Sequence, residues 1–136
     1  GALVAVHDGV RPLVTPRLVR DMFEKAETVQ SLVPVIPCTD TLKVLQKEGE
    51  ELKTVEGVVA DRSMLYAAQT PQIFHSEMLK SAYSLAYDTM FTDDASVMQK
   101  YGKSLSYTIG ERLNIKITTQ EDLLLAEAVM SLRSRS

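Results

Sequence analysis

The sequence predicts an α/β domain, a sheet covered by helices, on three observations. Short apolar runs at 2–6 and 32–36 have the length and composition of strands. Segments at 15–29 and 119–129 carry apolar residues at helical spacing behind a hydroxyl residue suited to capping. The two kinds alternate along the chain, as they do where helices cross between the strands of one sheet.

Ala2-Leu3-Val4-Ala5-Val6 carries the signal of a buried strand, the first in the chain, and it begins almost at residue one. No charged region precedes it, so it does not read as a signal peptide. It is expected to be an internal strand of a longer protein, with Gly1 a remnant of cloning, so that any site built from earlier strands lies outside this sequence. Thr15 can cap a helix that has Pro16 in its first position, where the missing N–H costs nothing. Leu18, Val19, Met22, Phe23, Ala26 and Val29 then recur at helical spacing. Leu32 to Ile36 is a second strand, ended by Pro37. Residues 41–60 break the rhythm. Leu42, Val44 and Leu45 lead into Lys47-Glu48-Gly49-Glu50-Glu51, and Leu52, Val55, Val58 and Val59 follow, a hairpin with a charged tip around Gly49.

Further on, Ser76 can cap a helix bearing Met78, Leu79, Ala82, Leu85 and Ala86, and Asp93-Asp94 can open another through Ala95, Val97 and Met98. Leu105, Tyr107 and Ile109 alternate as a strand. Ile115 and Ile117 alternate with Lys116 and Thr118, which predicts one more short strand with Lys116 on its outward face. Thr119 is the expected N-cap of the last helix, with Asp122 three residues on and Leu123, Leu124, Leu125, Ala126 and Val129 as its apolar face.

Composition excludes several classes. With 136 residues, 45% of them hydrophobic, the chain can bury a real core in one domain. A formal net charge of −3 with no basic patch argues against nucleic acid. No apolar run approaches the ~20 residues that span a bilayer, so no membrane partner and a cytoplasmic location are expected. Cys38 is the single cysteine, so an intrachain disulfide is impossible; it reads as a small, partly buried residue beside Pro37. His7 and His75 are far apart and have no cysteine cluster near them, which leaves zinc without support. There is no internal repeat.

The polar residues gather at the ends of the predicted elements. His7-Asp8-Gly9-Val10-Arg11-Pro12 leaves the first strand directly, which places Asp8 at a strand's carboxyl end, the usual ligand edge of an open sheet. Asp8 and Arg11 also read as a plain local ion pair. Thr39-Asp40-Thr41 stands at the entrance of the hairpin and Asp61-Arg62 at its exit. Arg62 is a fixed-charge, bidentate phosphate ligand if it faces a site, and a surface residue otherwise. Thr70-Pro71-Gln72 and Thr92-Asp93-Asp94 supply hydroxyls and carboxylates at turns or helix starts. Thr92 is equally an ordinary N-cap. Lys116 sits beside a helix start, where α/β proteins bind anions, and is otherwise a solvated surface lysine. The hairpin's arms are too polar to form a core alone, so it either packs on something outside its own domain or stands as a solvent-exposed excursion.

HDGVRP (7–12), PVIPCTDTLK (34–43), DR (61–62), QTPQIF (69–74), TDDAS (92–96) and NIKITTQEDLLLAE (114–127) occur in an order and spacing that resemble the 2-C-methyl-D-erythritol 4-phosphate cytidylyltransferases of the non-mevalonate isoprenoid pathway. The resemblance covers nearly the whole chain. It implies a Rossmann-like nucleotidyltransferase sheet with a protruding β-hairpin dimerisation arm, 41–60, within a single domain. Members carry near their N-terminus a glycine-rich loop, bearing Arg and Lys, that binds CTP. This sequence lacks it, so residues 1–136 resemble the C-terminal part of the domain.

The implied reaction is attack of a sugar-alcohol phosphate on the α-phosphate of CTP, with release of pyrophosphate. Positioning and charge stabilisation suffice for it, which explains the demand for Lys, Arg and Mg²⁺ or another divalent cation. By resemblance, Lys116 bridges the substrate phosphate and the reacting phosphate. Asp8 holds the metal or the substrate hydroxyls, with Arg11 and Thr92 beside it. Thr41 and Arg62 grip the substrate phosphate from the neighbouring subunit's arm, and Thr70 lines the pocket. Some relatives carry an acidic residue just before the Asn-Ile-Lys; here it is Leu113, and the nearest carboxylate is Glu111. A fragment of this kind is expected to be inactive alone. Two other readings are a ribitol-5-phosphate cytidylyltransferase, which shares most of these motifs, and a non-catalytic dimerisation module.

Overall fold

Four residues that no periodicity marks, Gln72–His75, form the strand around which the larger part of the molecule is built. The computed structural model describes residues 2–85 and 105–135. It comprises two units, Gly1–Ile36 with Ala68–Ser136, and Pro37–Ala67. The elements are β1 (Leu3–Val6), α1 (Pro16–Ala26), β2 (Ser31–Pro37), β3 (Leu45–Glu48), β4 (Glu51–Thr54), a 3₁₀ turn (Arg62–Met64), β5 (Tyr66–Ala68), β6 (Gln72–His75), α2 (Ser76–Leu85), β7 (Ser106–Ile109) and α3 (Gln120–Arg133). The helix expected from Asp93-Asp94, together with Ala86 and Thr92, falls outside the described residues.

In the larger unit β6 pairs antiparallel with β1, from Leu3↔His75 to Val6↔Gln72, and with the start of β2 at Ser31↔Phe74 and Leu32↔Ile73. β7 joins β2 in parallel, from Leu32↔Ser106 to Val35↔Ile109. The sheet is therefore mixed. Because successive side chains point to opposite faces, it sorts the core into two layers. Ile73 and Leu32 face α1, where they pack with Leu18, Met22 and Ala26. Phe74, Val33 and Val35 take the other face, with Met78 and Leu79 of α2 against them. Ile73 and Phe74 are both fully excluded from solvent, as expected of a strand covered by a helix on each side.

The expected start of α1 is present. Thr15 Oγ1 accepts from Leu18 N, and Pro16 stands at the first helical position. The last helix also begins as expected. Thr119 and Asp122 form a reciprocal capping box, and Asp122 Oδ2 accepts as well from Thr118 N and Thr118 Oγ1. Those Thr118 bonds, backbone first, and then Thr119 hold the Asp122 carboxyl below its ordinary 3.8. A carboxyl depressed on folding stabilises fully above its unfolded value and loses that contribution as pH falls through its lower folded value. The amides of Thr118 and Thr119 should therefore lose hydrogen-exchange protection on acidification below the ordinary 3.8, and Asp122→Asn should abolish this pH dependence. Protection that is flat from neutrality into strong acid in the unaltered protein would refute the assignment.

Three expectations need correction. Residues 115–118 are not a strand: their one backbone link to the 7–12 loop is Ile117 N to Val10 O, 2.8 Å. The alternation is nonetheless real, because Ile115 and Ile117 pack on Leu13, Ala126 and Val129 while Lys116 is exposed. Burial alone can produce a period of two without a ladder. Next, Leu123, Leu124 and Leu125 do not face the core. They are 40%, 60% and 48% exposed, and α3 buries only Ala126 and Val129. Only one narrow stripe of α3 meets Leu13 and the 115–117 segment, too narrow for three consecutive leucines. Finally, β1 is half-buried rather than enclosed, with Ala5 exposed; among the described residues it pairs with β6 alone.

The second unit contains the predicted hairpin. β3 and β4 pair from Leu45↔Thr54 to Glu48↔Glu51. Gly49 has φ +60° at the first of the two turn residues, and among the described residues only glycines take a positive φ, the pattern of a type II′ hairpin turn. All eight strand residues are exposed, and Lys53 Nζ lies 3.0 Å from Glu48 and 3.9 Å from Glu51. No helix among the described residues is long and apolar enough to cross a membrane.

Candidate functional site

The 7–12 loop leaves β1 and folds into a turn, with Arg11 N donating to Asp8 O at 3.1 Å. That turn brings the Arg11 guanidinium back onto Asp8, Nε to Oδ2 at 3.1 Å. The plain ion pair is thus present, and it is not the whole of Arg11's role. Its Nη1 also donates to Asn114 O at 2.8 Å, across 103 residues of sequence. Arg11 is 12% exposed along its side chain and Asp8 39%, so the carboxylate keeps solvent access while the guanidinium is largely enclosed.

Thr70 holds the same loop from the other side. Asp8 N donates to Thr70 Oγ1 at 2.9 Å, and Thr70 Oγ1 lies 2.9 Å from His7 Nδ1. His7 Nε2 faces the Arg11 carbonyl at 2.9 Å. A carbonyl can only accept, so Nε2 bears a proton; in the neutral ring Nδ1 is then the acceptor and the Thr70 hydroxyl donates to it. The Thr70 proton is therefore used within the protein. The Thr70–Pro71 peptide is cis.

The segment carrying Lys116 is tied to this loop at two points, Asn114 O to Arg11 and Ile117 N to Val10 O. Lys116 itself is exposed and makes no hydrogen bond or ion pair with any described residue. Its ammonium thus has no partner among the described residues, on a backbone tied to the loop that bears the Asp8–Arg11 pair. Glu111, the nearest carboxylate on the segment, is not free. Its two oxygens accept from Thr15 N at 3.3 Å and Thr15 Oγ1 at 2.7 Å, which makes it a support for the start of α1.

Asp8, Arg11 and Thr70 thus come together with the Lys116 segment in the larger unit. Thr41 and Arg62 lie in the other unit, where Arg62 Nη1 donates to Thr39 O at 3.3 Å and Thr41 is exposed. Asp61 does not pair with Arg62. Its Oδ1 accepts from Ser63 Oγ at 2.7 Å and Ser63 N at 3.0 Å, which lowers its carboxyl below the ordinary value. Thr92 falls outside the described residues. Among those described, no group of three or more His, Cys, Asp or Glu is placed to enclose a metal ion.

Sequence reasoning missed His7, Gln69, Glu111 and Asn114 as parts of this arrangement. Gln69 Nε2 donates to Glu111 O at 2.8 Å and Asn114 O at 3.3 Å, and its Oε1 accepts from Glu111 N at 3.3 Å. Asn114 is fully buried. Its Nδ2 donates to Thr70 O at 2.7 Å, while its Oδ1 has no partner. A buried orphan acceptor costs about 1–3 kcal/mol. All four residues lie inside or beside the motif segments already named, but a polar side chain in a motif does not announce whether it faces a ligand or a neighbouring loop.

A family model described as 2-C-methyl-D-erythritol 4-phosphate cytidylyltransferase matches residues 1–132. The proteins of that name from Phocaeicola vulgatus and Rubrobacter xylanophilus are each 41% identical to the chain, over 128 and 139 residues. Those matches take in 94% and 99% of this chain but only 55% and 57% of the relatives' own length. A crystal structure of the enzyme of that name from Thermus thermophilus superimposes with a TM-score of 0.80 at 37% identity, covering 93% of this chain and 61% of that one. The mixed sheet with helices on it is the fold of these nucleotidyltransferases. The chain spans a little over half the length of the curated relatives it matches, and it belongs to the 2-C-methyl-D-erythritol 4-phosphate cytidylyltransferase family.

Proposed function

We propose that residues 1–136 are the C-terminal part of a single nucleotidyltransferase domain, with 41–60 its β-arm, whose full-length parent works in the cytoplasm in non-mevalonate isoprenoid biosynthesis. The parent transfers a cytidylyl group from CTP to 2-C-methyl-D-erythritol 4-phosphate. An oxygen of the acceptor phosphate attacks the α-phosphorus of CTP and forms the new P–O bond. The bond from that phosphorus to its bridging oxygen breaks, and pyrophosphate leaves with the electron pair. The observation that carries this reading is Lys116, whose ammonium bonds to no described residue and whose backbone segment is tied through Asn114 O to Arg11 of the Asp8–Arg11 pair.

Lys116 neutralises the charge that concentrates as two phosphates approach, a task for a compact, preorganised cation. Arg11 orients Asp8 and leaves its Oδ1 free for the substrate hydroxyls or a cation. Thr70 acts by holding the loop, since its hydroxyl already serves His7 and the Asp8 amide. Thr92 contributes a hydroxyl to the acceptor. Asp8 as a single carboxylate fits a Mg²⁺ that takes most of its ligands from nucleotide phosphates and water, not a protein cage. Such an ion supplies Lewis-acid polarisation of the phosphates.

Thr41 and Arg62 would reach the acceptor phosphate of a second subunit, in a homodimer joined through the arms. In support, the second unit exposes Leu45 at 44%, Leu52 at 65%, Val58 at 49% and Val59 at 89%, apolar surface that a partner would cover. An isologous pairing lets each arm complete the other's site. Deleting residues 45–55 from the parent should give monomers in sedimentation velocity; an unchanged dimer would make the arm a surface excursion.

The test of function is CTP-dependent pyrophosphate release by the full-length parent, with 2-C-methyl-D-erythritol 4-phosphate and ribitol 5-phosphate compared side by side. Preference for ribitol 5-phosphate would overturn the acceptor. The 136-residue chain alone should release none, because the CTP-binding loop lies outside it. Turnover by that chain would overturn the assignment of the nucleotide site.

A further inference from the structure

Asn114 reaches two loops at once. Its carbonyl accepts from Arg11 Nη1, and its side-chain Nδ2 donates to the Thr70 carbonyl at 2.7 Å. The 7–12 loop and the 69–71 turn are thereby fastened to a single residue, two positions before Lys116. Gln69 grips the same segment from inside. Its amide donates to the carbonyls of Glu111 and Asn114 and accepts from the Glu111 N–H, so it spans the turn in which Asn114 N donates to Glu111 O at 3.0 Å. Gly110 makes room for it, since a Cβ there would collide with Gln69 Oε1 and stand 3.3 Å from Pro34 Cβ. Gln69 is 4% exposed and Asn114 is fully buried, so neither can meet a substrate.

We propose that Asn114 and Gln69 are positioning residues for the phosphate-binding cation: together they fix the Lys116 backbone against the loop that bears Asp8 and Arg11. The proposal rests on the reading of Lys116 given above. Its physical basis is the cost that Asn114 carries. A buried amide with an orphaned Oδ1 is a poor choice for stability alone. What its side chain provides is a donor aimed at Thr70 O, on the same residue whose main-chain carbonyl accepts from Arg11, so that the three segments of the site meet at one point. An error of about 1 Å in the placement of a reacting or stabilising group costs on the order of 10² in rate.

The test is a double-mutant cycle in the full-length parent, with steady-state kinetics on both substrates. Asn114→Ala should lower kcat by about tenfold or more while each KM moves by less than about threefold. The Asn114→Ala/Lys116→Ala double variant should be no slower than Lys116→Ala alone, because the placement of an ammonium no longer matters once it is gone. Losses that multiply would overturn the proposal, since a merely structural defect would act whether or not Lys116 is present. Normal turnover of Lys116→Ala would instead overturn the reading of Lys116, and the positioning role with it. If Asn114→Ala does not fold, Gly110→Ala supplies the same cycle. It displaces the Gln69 amide, and with it the Gln69 bonds to Asn114, while the Asn114 side chain stays in place, and the same failure to multiply with Lys116→Ala is expected.

Discussion

Replacing Lys116 by Ala in the full-length parent is expected to lower kcat by on the order of 10² or more, by analogy with the loss of one preorganised electrostatic donor. The loss should fall on kcat more than on KM. On the proposed reading, the charge that Lys116 would meet is greatest when acceptor and α-phosphate are closest, so the contact would strengthen toward the transition state. Lys116→Arg should restore only part of the rate, because a planar fork cannot occupy the place of a compact ammonium. Folding should barely change. Lys116 is exposed and bonds to no described residue, while Ile115 and Ile117 supply the segment's packing. Steady-state rates with both substrates, alongside a thermal melt, check this. Near-normal turnover would return Lys116 to the solvated surface.

The largest effect on stability is expected at Phe74. It is fully buried on β6, in a cluster with Val33 and Val35 of the neighbouring strand, with Met78 and Leu79 of α2 packed against that cluster. Truncation to Ala leaves a cavity that two hydrogen-bonded strands cannot close, and should cost about 3–5 kcal/mol. Against a total of about 5–15 kcal/mol for a domain, that is enough to populate unfolded protein. Denaturant unfolding of the variant checks it; a loss below about 1 kcal/mol would mean that the sheet collapses onto the space. Leu124→Ala, by contrast, should be close to neutral in this chain, since that side chain is 60% exposed.

The contrast between Phe74 and Leu124 shows where local reading works. A helix start is written in a few neighbouring residues, because the groups that cap it lie within one turn. Thr15-Pro16 and Thr119 with Asp122 were legible for that reason. The hairpin was legible at Gly49, where the turn needs a positive φ. β6 was not, because a four-residue strand beginning after a proline has no period to detect, and its burial comes from β1 and β2 on its two edges. The exposed leucines of α3 misled for the converse reason. Hydrophobicity records what a residue can bury, whereas the packing of Leu13 and the 115–117 segment decides what it does bury.

The candidate site divides along the same line. The sequence by itself determined which chemical groups are available: Asp8 and Arg11 on one loop, Thr70 at a turn, Lys116 before a capped helix, and Thr41 and Arg62 around the hairpin. It determined the family too, because six segments in fixed order are a linear property. Only the tertiary structure decided which groups are already engaged. It assigns Glu111 to Thr15, the Thr70 proton to His7, and the Arg11 fork to Asp8 and Asn114, and it leaves Lys116 open. Apart from the local Asp8–Arg11 pair, hydrogen bonds between residues far apart in sequence make those assignments: Thr70 to His7 over 63 residues, Glu111 to Thr15 over 96 and Arg11 to Asn114 over 103. A donor finds its acceptor through the fold that brings the two together, and no spacing along the chain encodes that distance.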